Sequence, residues 1–280
     1  MNRHEKAECA IEALRKVIPE PETELEFQNT WQLLVAVVLS AQCTDARVNL
    51  VTPALFERFP DSQSLLGLTA EDVFPLIRSI SYPNSKAKHI VRSAQLVEEL
   101  FGGAVPRTVN ELVQLPGVGR KTAQVVASVA FNVPTLAVDT HVFRVSNRLG
   151  LVGANATTPE KVERQLKRLL PVESWGEAHH LLILHGRYTC TARSPKCGEC
   201  AASECCSYVK ELAKLPADRP GLNPQKGIYY CATRKHYFNE ADSISDRKGE
   251  EQVSCPKCGS MNVFLSKTGK TTRRVKDFRV

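Results

Sequence analysis

The sequence predicts an all-α body over residues 3 to 189, on three observations. Apolar residues recur at helical spacing through this region, helix start and stop signals bracket the periodic runs, and neither strand-like alternation nor an internal repeat interrupts them. The opening MNRHEKAECAIEALRKVI has charges between its apolar positions throughout, which marks an amphipathic helix and not a signal peptide. Thr30 to Gln42 is apolar nearly all round, so a helix buried on every side is expected there. Asn84 to Phe101 is amphipathic and stops at Gly102 and Gly103. Thr108 to Leu115 opens on a capping box, Thr108 with Glu111. Further helices are expected over THVFRVSNRL, ending at Gly150, from Thr158 with Pro159 in the favoured first turn, and from Ser174 with Glu177 completing a second capping box.

The richest stretch runs from Leu115 to Asp139, LPGVGRKTAQVVASVAFNVPTLAVD. Gly117 and Gly119 flank Val118 in a tight turn, where missing side chains permit positive φ and let backbone N–H groups approach an anion at a helix N-terminus. Arg120 and Lys121 then open the helix. The positive end of the helix dipole opposes the ammonium form of Lys121, and a neutral lysine is a nucleophile. Asp139 follows the connection Val-Pro-Thr-Leu-Ala-Val and precedes the next helix, where the dipole favours a carboxylate and capping would hold it still. Gly-x-Gly before a helix is common and a lysine there is often only a solvated residue, so the weight rests on the helix, hairpin, helix context.

Ten cysteines in a chain without an export signal argue for metal ligation in a reducing compartment and against disulfides. Four of them, Cys190, Cys197, Cys200 and Cys206, form C-x6-C-x2-C-x5-C in one short loop. Thiolate quartets so closely spaced suit an iron–sulfur cubane. Structural zinc more often draws on two separated C-x2-4-C knuckles, and only Cys197 and Cys200 make such a pair here. Cys205 is then a spare beside a ligand. Arg187, Arg193 and Lys196 in and before the same loop are placed to meet a phosphate backbone.

At the hairpin, at VDTHVFR and at the cysteine loop, the chain resembles the endonuclease III branch of the helix-hairpin-helix DNA glycosylases. The likeness extends over roughly residues 1 to 210. It implies a six-helix domain over 27–132 that ends with the hairpin motif, a second domain of 1–26 with 133–213 around a 4Fe-4S cluster on the four cysteines, and a DNA cleft between them. It implies a bifunctional enzyme of base excision repair, a DNA N-glycosylase for oxidised or damaged pyrimidines and an abasic-site lyase, monomeric, acting on duplex DNA. Lys121 then matches the residue that attacks C1′ of the damaged nucleotide, and Asp139 the residue that assists. Ser40-Ala41-Gln42-Cys43-Thr44-Asp45 resembles the family's SAQxTD motif, in which the glutamine fills the gap left by an extruded base. Tyr82-Pro83-Asn84-Ser85-Lys86-Ala87 corresponds to the wedge loop, with Tyr82, Asn84 and Lys86 expected at DNA. Here the chain departs from the family: Ser81, Tyr82 and Pro83 stand where glycine, an apolar wedge and an aromatic are usual, although a tyrosine can still intercalate. His141, His179, His180 and His185 read better as core or helix-surface residues than as ligands or bases.

Two other readings remain open from the residues. An adenine-mismatch glycosylase of the same fold is disfavoured by Lys121, since those relatives lack lysine there. A non-catalytic DNA-binding module would use the hairpin for phosphate and the cluster for structure. A redox protein has no cofactor or partner motif to support it.

The net charge of +7 suits a polyanion partner, and its distribution is uneven. From Pro216 onward stand 13 Lys/Arg against 7 Asp/Glu, so residues 214–280 read as a basic extension outside the resemblance. It holds a zinc knuckle, Cys255-Pro-Lys-Cys258-Gly, for which Cys231 and His236 are candidate partners, and it ends in a basic strip suited to DNA. No uncharged run is long enough for a membrane span, and the expected location is cytoplasmic, with the nucleoid.

Overall fold

The computed structural model describes residues 1–213 and six short strands beyond them, with side chains to residue 211. Eleven α-helices among the described residues make the body: α1 (Arg3–Val17), α2 (Thr30–Ser40), α3 (Asp45–Arg58), α4 (Ala70–Ile77), α5 (Pro83–Phe101), α6 (Val109–Leu112), α7 (Arg120–Phe131), α8 (Thr140–Leu149), α9 (Pro159–Leu169), α10 (Trp175–Tyr188) and α11 (Ser207–Ala213). The strands are β1 (Ile228–Cys231), β2 (His236–Phe238), β3 (Asp242–Ser245), β4 (Glu251–Ser254), β5 (Val263–Ser266) and β6 (Thr271–Arg274). The all-α expectation therefore describes the body. The described residues of the extension are strands, which its charge and Gly/Lys content hid from a periodicity reading: an antiparallel sheet in the order β2-β1-β5-β6 and a separate β3-β4 pair.

The chain divides into two compact units. One, here the hairpin unit, contains residues 21–139 and 170–180. At its centre α2 is buried from Trp31 through Leu39, in contact with α3, α5 and α7. A helix apolar on all faces is stable only with neighbours on all faces, and these three supply them. Residues 133–139, grouped by the family likeness with the second domain, fall in this unit. The reason is local: Leu136, Ala137 and Val138 are buried, Val133 N–H bonds the Ala127 carbonyl at 3.1 Å, and Thr135 Oγ donates to the Gln124 carbonyl at 2.6 Å, tying the connection to α7.

The other, the cysteine unit, contains residues 1–20, 140–169 and 181–280. Helix α1 begins with a complete capping box, Asn2 with Glu5, and buries Ala7, Ala10, Ile11 and Leu14, an i, i+3, i+4, i+7 stripe, with α9 as a neighbour. Gly186 of α10 lets that helix close on α8: a Cβ there would stand 2.9 Å from the His141 Cβ.

One expectation is overturned in this unit. Cys9 of α1 and Cys205 are joined as a disulfide across 196 residues, so cysteine use is not confined to metal. The pairing follows from burial of Cys205 beside the inward stripe of α1, which no local spacing announces. We expect the unfolded, metal-free chain to show two fewer titratable thiols before reduction than after it. Cys9→Ser should cost about 2–4 kcal/mol of stability under non-reducing conditions and nothing comparable with reductant present.

Candidate active site and cysteine loop

The hairpin is built from behind. Thr108 caps α6 with the expected box, Thr108 N–H to Glu111 at 3.2 Å and Glu111 N–H to the Thr108 hydroxyl at 3.3 Å. Val118 N–H then turns back to the Leu115 carbonyl at 3.1 Å. Gly117 sits at φ 78°, and a Cβ there would meet His89 Nδ1 at 2.7 Å, so glycine is required both for the turn and for its approach to α5. Ser93 of α5 adds a hydrogen bond to the Pro116 carbonyl at 3.1 Å. Gly119 differs from expectation: its φ is −79°, an ordinary value, and it serves as the N-cap of α7. Val118 is buried, so only backbone is presented at the turn, while Arg120 is exposed.

Lys121 is the second residue of α7, 56 % exposed, with Nζ 4.0 Å from Oδ2 of Asp139, itself 11 % exposed. The two residues expected to cooperate are thus together. At 4.0 Å the pair is longer than a hydrogen bond. A pair this open contributes about 0–1 kcal/mol to stability.

Asp139 stands immediately before α8, at the end of an extended segment that His179 fixes. His179 is buried, and its Nδ1 donates to the Ala137 carbonyl at 2.8 Å, because a carbonyl can only accept. Its ring meets that of His180 edge-on, centroids 5.0 Å apart. Burial, with the neighbouring His180 second, pushes its pKa down to about 4 from 6.5; nearby Asp139 opposes the shift. The unfolded chain therefore binds the additional proton between those values. Stability contributed by neutral His179 is complete above pH 6.5 and is lost as pH falls toward 4, up to about 3 kcal/mol. Urea midpoints at pH 5 and 7 should differ in that direction, and His179→Gln, which can keep the donor to Ala137, should reduce the difference. Histidine was expected in the core here, but its tie to the Asp139 segment was not readable from spacing.

The wedge and gap-filling residues also lie in the hairpin unit. Gln42, just past α2, and Tyr82, just before α5, are both exposed, Tyr82 by 64 %, and both have φ 56°. Asn84 is exposed in the first turn of α5. Lys86 is a correction. Expected at DNA, it is 6 % exposed and donates to the carbonyls of Leu39 at 2.7 Å and Ala41 at 2.6 Å, because the end of α2 presents unsatisfied acceptors within its reach.

In the cysteine unit, Cys190, Cys197, Cys200 and Cys206 come together with free thiols. Burial pushes Cys200 up to about 11, and the charges of Cys206, Cys190 and Cys197 add to the rise. Cys197 and Cys206 are raised too, burial again first. Such a quartet opposes its own ionisation unless a positive centre balances it, which is the chemistry of a metal-cluster donor set. Among the described residues no group of three or more His, Cys, Asp or Glu side chains is placed to hold a metal ion.

Two arginines of α8 that the sequence reading did not single out hold the loop's entrance. Arg144 donates to the carbonyls of Gly186 at 2.7 Å and Cys190 at 3.0 Å. Arg148 donates to Thr191 at 2.6 Å, to Ala192 at 2.8 Å and to Cys190 Sγ at 3.4 Å, with its guanidinium 5.2 Å from the centroid of the Tyr208 ring. Their i, i+4 spacing on one helix was the available signal. Arg193 and Lys196 are exposed on the loop and Arg187 is half-buried on α10. Of the candidate zinc ligands, Cys231 ends β1 opposite His236 of β2, while Cys255 and Cys258 lie outside the described residues.

Residues 35–172 match the HhH-GPD superfamily of base excision DNA repair proteins. Endonuclease III of Bacillus subtilis is 47% identical over 199 residues, 71% of this chain and 90% of the relative. That of Escherichia coli K12 is 43% identical over 212 residues, 76% and 99%. The chain belongs to the endonuclease III family. As a member of that family it is a base excision repair enzyme, a DNA glycosylase and abasic-site lyase. The solved structure of a trapped endonuclease III–DNA covalent intermediate matches it with TM-score 0.71 and 42% identity, covering 76% of this chain and all of that one. A non-covalent endonuclease III–DNA complex matches with TM-score 0.71 and 41% identity, covering 76% of this chain and 99% of the other. A thermostable thymine-DNA glycosylase, 22% identical with TM-score 0.67, shares the fold. The endonuclease III likeness covers the helical body and leaves most of the strand-built extension outside it. Among the described residues no helix is long and apolar enough to cross a membrane.

Proposed function

We propose that this endonuclease III relative removes oxidised or ring-saturated pyrimidines from duplex DNA and cleaves the strand 3′ to the abasic site, with Lys121 as nucleophile and Asp139 as its partner. The observation that carries the reading is the approach of the Lys121 amine, at the start of the hairpin-led helix, to 4.0 Å from the held Asp139 carboxylate. The extruded nucleotide lies between them. As the glycosidic bond breaks and the base leaves with its bonding pair, the Lys121 amine adds to C1′, while Asp139 stabilises cationic character on the sugar. Transfer of an amine proton to the ring oxygen opens the sugar and leaves a protonated Schiff base. Loss of a C2′ proton then expels the 3′ phosphate by β-elimination, and water releases the lysine. The hairpin backbone at Gly117 and Gly119, with Arg120, holds the DNA phosphate, and in the cysteine unit Arg193 and Lys196 are further cations for phosphate.

Cys190, Cys197, Cys200 and Cys206 would hold a 4Fe-4S cluster. Such a cluster supplies cross-linking of the loop and positive charge at the thiolates; Arg148, bonded to Cys190 Sγ, helps to neutralise them. The cytoplasm, with its DNA, is the expected place of action.

Borohydride capture tests the lyase reading, since reduction of the Schiff base fixes the protein to an abasic duplex. Capture by the wild-type protein is the expected result, and its absence would exclude the mechanism. A glycosylase panel over thymine glycol, uracil, guanine lesions and A·G mismatches identifies the bases removed. Excision confined to A·G would instead establish the adenine-mismatch reading.

A further inference from the structure

Gln42 and Tyr82 share an unusual condition. Each is exposed, and each holds a left-handed φ of 56° that side-chain-bearing residues rarely adopt. Asn132, the other such residue among those described, simply ends α7 as its C-cap. Strained backbone persists where its surroundings over-determine it. At Gln42 and Tyr82 those surroundings converge on one residue, through its backbone at Tyr82 and its side chain beside Gln42.

Lys86 is in the first turn and a half of α5. Its backbone N–H bonds the Tyr82 carbonyl at 3.1 Å, closing the turn on which Tyr82 stands. Its ammonium reaches to the other turn and donates to the carbonyls of Leu39 and Ala41, the latter directly preceding Gln42. Ser81 completes the link, donating from its hydroxyl to the Gln42 carbonyl itself at 2.8 Å. A cation at the end of α2 also meets the negative end of the helix dipole. A purely structural cap would account for the bonds to Leu39 and Ala41. It would not account for tying that cap to two exposed side chains, one of them an aromatic that gives the core nothing.

We infer that Lys86, with Ser81, is a positioning residue for duplex opening: it fixes Gln42 and Tyr82 as two prongs at a set separation, ready to enter the base stack. This rests on the repair reading above. Prongs already ordered spare the complex the cost of ordering them when DNA arrives. Lys86 itself touches no DNA.

The test compares an abasic site in duplex DNA with the same site in a single strand, which has no stack to open and no partner base to replace. Lys86→Met keeps the stem and removes all three donors. Borohydride capture on the duplex should slow about 10- to 100-fold while capture on the single strand stays within about 3-fold. The fluorescence rise of 2-aminopurine beside the site, a report of unstacking, should fall with it. Ser81→Ala should show the same split at about 3- to 10-fold, and it decides the matter if Lys86→Met does not fold. Equal losses on both substrates, or an unchanged duplex rate in the folded variants, overturn the inference. Failure of the wild type to capture either substrate overturns the lyase reading instead.

Discussion

Lys121→Ala is expected to lower strand cleavage at an abasic duplex about 10⁴-fold or more while affinity for the same duplex changes little. In the proposed mechanism the amine forms the bond to C1′, and no other lysine is paired with Asp139 in the ion pairs described. The phosphate contacts proposed at the hairpin and loop would supply most of the binding and are untouched by the substitution. Stability should also hold within about 0.5 kcal/mol, because the side chain is 56 % exposed and its ion pair is open. Asp139→Asn should be milder on chemistry, about 10²-fold, since shape and segment are kept and only the charge is lost. Single-turnover cleavage, gel shift and thermal melting read the three quantities separately. Cleavage by Lys121→Ala within tenfold of wild type would move the nucleophile elsewhere.

The second large effect is expected at the cysteine loop. Cys200→Ala should abolish iron and sulfide incorporation and the visible absorbance of the cluster, and lower the melting temperature by about 8–16 °C. That range corresponds to a loss of about 4 kcal/mol in a chain of this size. Between Thr189 and Cys206 the loop has one short 3-10 turn, Cys197–Glu199, and few buried apolar side chains, Pro195 and Ala202 among them. So small an apolar contribution cannot order the segment unaided. On the proposed ligand set, metal binding would add folding energy to that of the Cys9–Cys205 disulfide and the Arg144 and Arg148 hydrogen bonds, and removing a ligand would remove that share. Unchanged iron content in Cys200→Ala would show the ligand set to be wrong, and zinc in place of iron would exclude the cubane.

Legibility from sequence followed the range of the forces involved. The Thr108–Glu111 box and the Gly117 turn are settled within a few residues, and both read correctly. Lys121 and Asp139 are 18 positions apart but bracket one helix and one extended connection, so their meeting was within reach of a motif. Lys86, expected at DNA from the wedge-loop likeness, turns inward because a motif places a residue in the chain and says nothing about which carbonyls wait there. Cys9 and Cys205, and His179 with Ala137, are joined by tertiary packing alone. The strands of the extension, three or four residues each, are too short to show a period-2 pattern.

The interleaved division of the chain has a consequence for how it is made. Helix α1 leaves the ribosome with Ala7, Ala10, Ile11 and Leu14 on one stripe, yet α9 and Cys205 are synthesised much later. At about 5–20 residues per second, the 196 residues between Cys9 and Cys205 take about 10–40 s to emerge. Through most of that interval the nascent chain carries an apolar stripe whose partners do not yet exist. Helix α1 is thus secured late, and a ribosome that stalls before α9 and the cysteine loop releases a product with that helix uncovered, a ready mark for chaperones and proteases.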